Sequence, residues 1–396
     1  MEIKSLQAFF AYILLILSAV GMGMATSVHR YLGTSKPFFE AEARSRILPE
    51  SHPALSAPEE AIPENSAVLK KVYQKAAEIH SLSSLLIHKE GRLIIEDYFQ
   101  EMDADQAVNI KSASKSIMSL LIGIALDRGI LQSITQPIQE FFPEYMNSET
   151  DPAKLAITIE DLLTMRAGLK STSFYNYSRW VNSRNWVRYV LEQPLVEEPG
   201  GQMIYSTGSS HLLSVILTKA SGMTTREFAR RYLFDPLDIE LETWYRDPQG
   251  YYTGGNNMFM KPSDMIKIGQ MVLNGGVYEG KRIVPEQWLL KSLKTYTQSD
   301  HSSNYYGYMW WKQEIGGYQA LFACGYGGQY IFMFPELESI VVMTSFLEYA
   351  NELREYDKPI FKLLEETVIP LILESEPGPA RGMPHPRETG RTVITR

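Results

Sequence analysis

The chain has 396 residues, 44% hydrophobic and 21% charged, which is ordinary globular composition with ample length for a large core. A formal net charge of -8 argues against a general nucleic-acid binder, which would carry a basic face. The single cysteine, Cys324, excludes an intramolecular disulfide framework and a cysteine-rich zinc site, and no H-E-x-x-H run occurs, so no metal or other cofactor is expected.

Residues 6–25 (LQAFFAYILLILSAVGMGMA) are nearly continuous apolar sequence after Lys4, about the length that spans a bilayer. They also fit a signal peptide, with small residues at Gly23 and Ala25 near a cleavage point. Residues 1–27 therefore read as a signal peptide or an N-terminal membrane anchor, and both readings put the rest outside the cytoplasm. Residues 28–65 are rich in Pro, Ser, Glu and Ala without a sustained period, and read as a linker. A catalytic unit is expected over 66–373.

Within that unit, 84–88 and 92–99 flank Lys89-Glu90-Gly91 and predict a hairpin. In 111–127, Ile117, Leu120, Leu121, Ile124 and Ala125 fall at helical spacing, and Gly129 stops the run. The middle, roughly 130–300, reads as helix-rich with many turns. Strands are predicted over 306–314, 318–323, 330–334 and 339–344, followed by a closing helix over 353–372. Residues 374–396, with Pro377, Pro379, Pro384 and Pro386, read as a disordered tail. Strand-rich ends around a helical middle predict one sheet built from both chain ends with a helical insertion beside it.

The helix at 111 opens K-S-A-S-K-S, placing Ser112 and Lys115 three apart on one helical face. A serine hydroxyl needs a group to take its proton, and a lysine serves if burial lowers its pKa. The plain alternative is a helix-capping serine and a solvated lysine. Against that, this is the only S-x-x-K in the chain, and it opens the most apolar helix after the N-terminal segment.

With two further elements the sequence resembles the serine β-lactamases, penicillin-binding proteins and related esterases and amidases. Tyr205-Ser206-Thr207 looks like the second element of the class C-like branch, and CGYGGQYIFMFPE at 324–336 like the third, a glycine-rich strand bordering the cleft. ITIEDLLTMRAGL (157–169), GGNNMFMKPSDMIKIGQMVLNGG (254–276) and YGYMWW (306–311) resemble supporting segments in the family's order. The likeness covers about residues 80–370.

It implies an α+β fold of the β-lactamase/transpeptidase type, a mixed antiparallel sheet flanked by helices plus a helix-rich lobe. It also implies acyl transfer to Ser112, with Lys115 and Tyr205 handling the proton and the Ser112 and Tyr326 N–H groups as oxyanion donors. Thr207, Gly325, Tyr175 and Asn257 become candidates for substrate binding, with Trp180 and Asn256 near the cleft. His211 and Cys324 read as a satisfied structural histidine and a small buried neighbour. Two departures stand out. Thr207 replaces the more usual Asn, and Ala323-Cys324-Gly325 lies where Lys or His before Thr-Gly is expected. The group that would hold a substrate carboxylate is thus absent from position 323, which points toward the branch containing 6-aminohexanoate-dimer hydrolase and related esterases. The expected partner is a small-molecule ester or amide, with no nucleic acid, and with membrane contact through the N-terminal segment. The rivals are a β-lactamase or D-alanyl-D-alanine carboxypeptidase on the same fold, and a non-catalytic membrane-anchored binding protein.

Overall fold

The computed structural model describes residues 66–299, 302–347 and 357–375. The 6–25 and 28–65 segments lie outside the described residues, as do 353–356 of the expected closing helix and the tail from 376. Among the described residues no helix is long and apolar enough to cross a membrane.

Helix α1 (Ala67–Ala77) starts where the Ser66 hydroxyl accepts the Leu69 N–H. The expected hairpin follows as β1 (Leu82–Lys89) and β2 (Arg92–Tyr98). After the short β3 (Val108–Asn109) the chain makes a 3-10 turn, Lys111–Ala113, and enters α2 (Ser114–Asp127). The lobe that follows includes α3 (Ile159–Leu163), whose Thr158 and Asp161 form a capping box, and α4 (Thr207–Ser221). β4 (Phe259–Met260) pairs with β3, and α5 (Pro262–Leu273) returns the chain to the sheet. β5 (Val277–Tyr278) and β6 (Lys281–Arg282) form a small ladder of their own.

The large sheet is completed by β7 (Thr297–Gln298), β8 (Tyr305–Tyr306), β9 (Trp311–Ile315), β10 (Tyr318–Gly325), β11 (Gln329–Phe334) and β12 (Ser339–Ser345). Its eight strands run in the order β2-β1-β12-β11-β10-β9-β8-β7, and every pairing described is antiparallel. The N-terminal hairpin therefore pairs with the C-terminal strand inside the sheet, with Leu86 opposite Val342.

Both faces are covered, so β11 and β12 read as unbroken apolar runs instead of alternating ones. One face of the C-terminal strands (Leu321, Ala323, Ile331, Met333, Ile340, Val342) packs with α2, α4 and α5. The other (Ala320, Phe322, Tyr330, Phe332, Phe334, Val341, Met343) packs with α1 and the C-terminal helix. That helix consists of Asp357–Leu363, a π-helical turn Leu364–Val368, and Ile369–Glu374.

The strand expected over 306–314 is broken into β8 and β9. Tyr306, Tyr308 and Trp310 are buried, but 307–310 form a turn instead of a ladder. Gly307 N–H donates to the Trp310 carbonyl, Tyr308 N–H to Ser292 and Met309 N–H to Leu163, so the segment is pinned to the helical lobe.

Candidate active site

The Ser112 turn is shaped from outside itself. Lys111 adopts a left-handed conformation, φ 51, and its N–H is taken by Asn109 Oδ1 at 3.0 Å. Ser112 makes no capping bond, which removes the plain reading of it as an N-cap. Lys115, one turn on, is 1% exposed. Its Nζ donates to Ser112 Oγ at 2.9 Å, to the Gly255 carbonyl at 2.8 Å and to Thr207 Oγ1 at 3.3 Å. Burial pulls its pKa down to about 7, with the Cys324 thiol opposing weakly. The solvated-lysine reading fails on the same observation.

Tyr205 precedes α4 and faces this pair. Lys115 Nζ lies 5.1 Å from its ring centroid. Burial raises the phenol above its usual pKa, while the Ser112 side chain acts in the opposite direction. Thr207, buried at the first position of α4, shares its hydroxyl with Lys115 and, at 2.9 Å, with Ser173.

A run of hydroxyls that sequence reasoning missed stitches this segment in place. Ser171 Oγ donates to the Tyr205 carbonyl at 2.6 Å, Thr172 Oγ1 bonds Ser206 Oγ at 3.0 Å, and Ser173 Oγ accepts the Thr207 N–H at 2.8 Å. The available clue was S-T-S one residue after the LLTMRAGL segment.

The Gly254-Gly255 loop closes over the other side of Lys115. A Cβ at Gly255 would lie 2.1 Å from Ser210 Oγ and 3.0 Å from Lys115 Nζ, so a side chain there would push the Ser210 hydroxyl or the Lys115 amine aside. Gly325, at the end of β10, meets the segment before Ser112 in the same way. A Cβ there would sit 2.2 Å from the Ile110 carbonyl oxygen. Tyr326 begins the turn from β10 to β11 immediately beyond it, with an exposed side chain. Ala323 is buried on the sheet face that carries α2 and α4. Cys324 belongs to the opposite face, where burial, then Asp357, pushes its thiol up to about 12.

An aromatic wall continues from Tyr205. Trp311 stacks on it with centroids 5.8 Å apart, Tyr306 meets it edge-on at 6.5 Å, and Phe174 lies at 6.0 Å. Only the YGYMWW likeness hinted at the first two, and nothing singled out Phe174. Tyr175, the neighbouring candidate, is 74% exposed and lies near Lys170 Nζ, 6.0 Å from its ring. Asn257 accepts from Asn109 Nδ2 at 3.1 Å, and so braces the residue that holds the Lys111 N–H. Asn256 donates to the Tyr177 hydroxyl at 2.6 Å. Trp180 does not line the cleft. It is buried against Trp186 and His211. His211 has partners on both ring nitrogens, as the structural reading required.

Comparison with known proteins adds to this geometry. The family described as Beta-lactamase matches residues 70–363. The 6-aminohexanoate-dimer hydrolase of Paenarthrobacter ureafaciens is 23% identical over 290 residues, 66% of this chain and 72% of that protein. Among solved structures, the octameric penicillin-binding protein homologue from Pyrococcus abyssi gives a TM-score of 0.60 at 18% identity, covering 79% of each chain. EstCE1, a hydrolase with promiscuous acyltransferase activity, gives 0.61 at 15% identity, covering 75% of this chain and 97% of its own.

Proposed function

The chain belongs to the beta-lactamase family of serine hydrolases, and from that premise we propose that it cleaves an ester or amide bond of a small molecule or short peptide through an acyl-enzyme on Ser112. The observation that carries this reading is a lysine removed from water, 2.9 Å from a serine oxygen, with its pKa pulled down to about 7. Such an amine is substantially free base at neutral pH, while burial keeps the Tyr205 phenol protonated.

In this mechanism Lys115 takes the Ser112 hydroxyl proton as Oγ bonds to the substrate carbonyl carbon. The carbonyl electron pair moves onto its oxygen, which the Ser112 and Tyr326 N–H groups stabilise. The adduct collapses, the bond to the alcohol or amine breaks, and the leaving group takes the Tyr205 proton. The Lys115 ammonium then reprotonates the phenolate. Water attacks the acyl carbon, its proton passes to the same pair, and Ser112 leaves with a proton returned to Oγ. The products are the acid and the alcohol or amine.

The uncharged Ala323 and the Tyr205, Tyr306 and Trp311 wall support a neutral substrate over one bearing a carboxylate. The test is a fluorophosphonate probe followed by mass mapping. The label is expected on Ser112 and lost in Ser112→Ala; a label on Ser114, Ser116 or Ser210 would overturn the assignment. The apolar segment at 6–25 supports export from the cytoplasm. Fractionation of cells expressing the chain with and without residues 1–27 tests that placement.

A further inference from the structure

On α4, one turn beyond Thr207, stands His211, a residue the mechanism does not use. Its side chain and that of Asp247 are both 0% exposed, and the imidazole meets Trp180 and Trp186 edge-on at 5.8 and 5.6 Å. Its two nitrogens have different partners. Nδ1 accepts the Gly254 N–H at 3.4 Å, so the proton is on Nε2, which donates to Asp247 Oδ2 at 2.9 Å. The other Asp247 oxygen is taken by the Gln249 and Tyr251 N–H groups at 2.8 and 2.9 Å, so the carboxylate is fixed before the histidine meets it. Two peptides on from the Gly254 N–H is the Gly255 carbonyl, 2.8 Å from Lys115 Nζ.

We propose that His211, held in one tautomer by Asp247, is a positioning residue that sets the Gly254-Gly255 loop so that the Gly255 carbonyl keeps Lys115 aligned on Ser112. The inference rests on the hydrolase reading above and adds to it a link from a buried aspartate to the base. A glycine pair has little stiffness of its own. The Thr253 hydroxyl, bonded to the Asn256 carbonyl, and Trp244 Nε1, bonded to the Thr253 carbonyl at 2.8 Å, hold the loop's flanks, and His211 holds its middle. The titratable groups acting on Lys115 itself are Tyr205 and Cys324. Neither touches this chain of bonds, so a change routed through His211 reads out separately from them.

Asp247→Asn tests the link with almost no change of shape. The Gln249 and Tyr251 N–H groups hold the amide oxygen where Oδ1 was, so the NH2 faces Nε2. The imidazole must then carry its proton on Nδ1, pointing at the Gly254 N–H, and the loop has to move. In the full chain, with p-nitrophenyl acetate, kcat/KM is expected to fall about tenfold or more. Its acid limb is expected to move to lower pH, because the ammonium form loses its carbonyl acceptor. His211→Asn keeps an acceptor near the Nδ1 position, so its limb is expected to stay in place. His211→Gln, which offers Gly254 no acceptor there, gives the same reading as Asp247→Asn should that variant fail to fold. An unmoved limb in Asp247→Asn, or equal losses in Asp247→Asn and His211→Asn with no shift, is the pattern of a merely structural pair and overturns the proposal. A wild-type chain that fluorophosphonate does not label at Ser112 fails at the earlier step, and both readings fall. Labelling at Ser112 with an unshifted Asp247→Asn profile sinks this one alone.

Discussion

An ammonium group out of water is destabilising unless its surroundings compensate, and Lys115 has three oxygens and an aromatic ring around it. Its pKa of about 7 has a second consequence. From pH 7 up to the ordinary lysine range the unfolded chain holds a proton that the folded chain has released. This group's contribution to stability therefore rises with pH across that window and is least favourable below 7. Lys115→Met is expected to lower kcat by at least ~10²-fold, the lower end for a lost acid–base group. The same variant is expected to be more stable than wild type below pH 7 by at least about 1 kcal/mol, each pKa unit being worth about 1.4 kcal/mol. Urea titrations at two pH values check the sign; a variant less stable at both would show that the lysine is held at no cost. Tyr205→Phe is expected to lose ~10²-fold in kcat, and its combination with Lys115→Met far less than the product of the two, since groups acting as a unit are non-additive. For wild type, kcat/KM is expected to rise through an acid limb near pH 7 as Lys115 loses its proton.

At the scale of elements, the tip of β10 and the turn before α2 are one contact. Gly325→Ala would put a methyl 2.2 Å from the Ile110 carbonyl, and strand or turn must yield. A displacement of about 1 Å at a reacting group costs on the order of 10²-fold, so kcat/KM is expected to drop by that much, as ester hydrolysis by the folded variant would report. Two residues earlier, Ala323→Lys would supply a charge-assisted hydrogen bond worth about 1.5–3 kcal/mol. That is roughly ten- to hundred-fold in kcat/KM for anionic substrates. The wild type is expected to turn over short neutral esters faster than nitrocefin, and the reverse order would refute the neutral-substrate reading. These elements were legible in advance where one physical signal dominated: the YIFMF and SIVVM runs for buried strands, and the 3.6-residue spacing of Ile117 to Ala125 for α2. Segments whose conformation is set by distant partners were not. The turn at 307–310 exists because Ser292 and Leu163 claim its N–H groups. Ser171 to Ser173 matter only because Tyr205 to Thr207 lie against them, and His211 reaches the site through a loop more than forty residues away. No local pattern marks such pairings.

The described residues form two layers sharing one sheet, and the site occupies one of them. Phe332 belongs to the other, fully buried and stacked on Tyr330 at 4.7 Å. Phe332→Ala is expected to cost about 3–5 kcal/mol of stability. Per folded molecule, counted by covalent titration of Ser112, it should leave kcat and KM unchanged. A change in KM would mean that the sheet transmits strain from one layer to the other.

The sheet also dictates when this protein can exist at all. Ser83 and Thr344, 261 residues apart, share a hydrogen bond at 2.8 Å, and β12 is the strand that joins the N-terminal hairpin to the rest. A ribosome adding about 5–20 residues per second leaves that hairpin with an open edge for on the order of 10–50 s before its neighbour is made. For most of that interval the Ser112 turn has no Gly325 to lean on, and the edge is a template for pairing with another chain. So late a closure means that the contact bracing the Ser112 turn is available only to chains already made almost as far as β12.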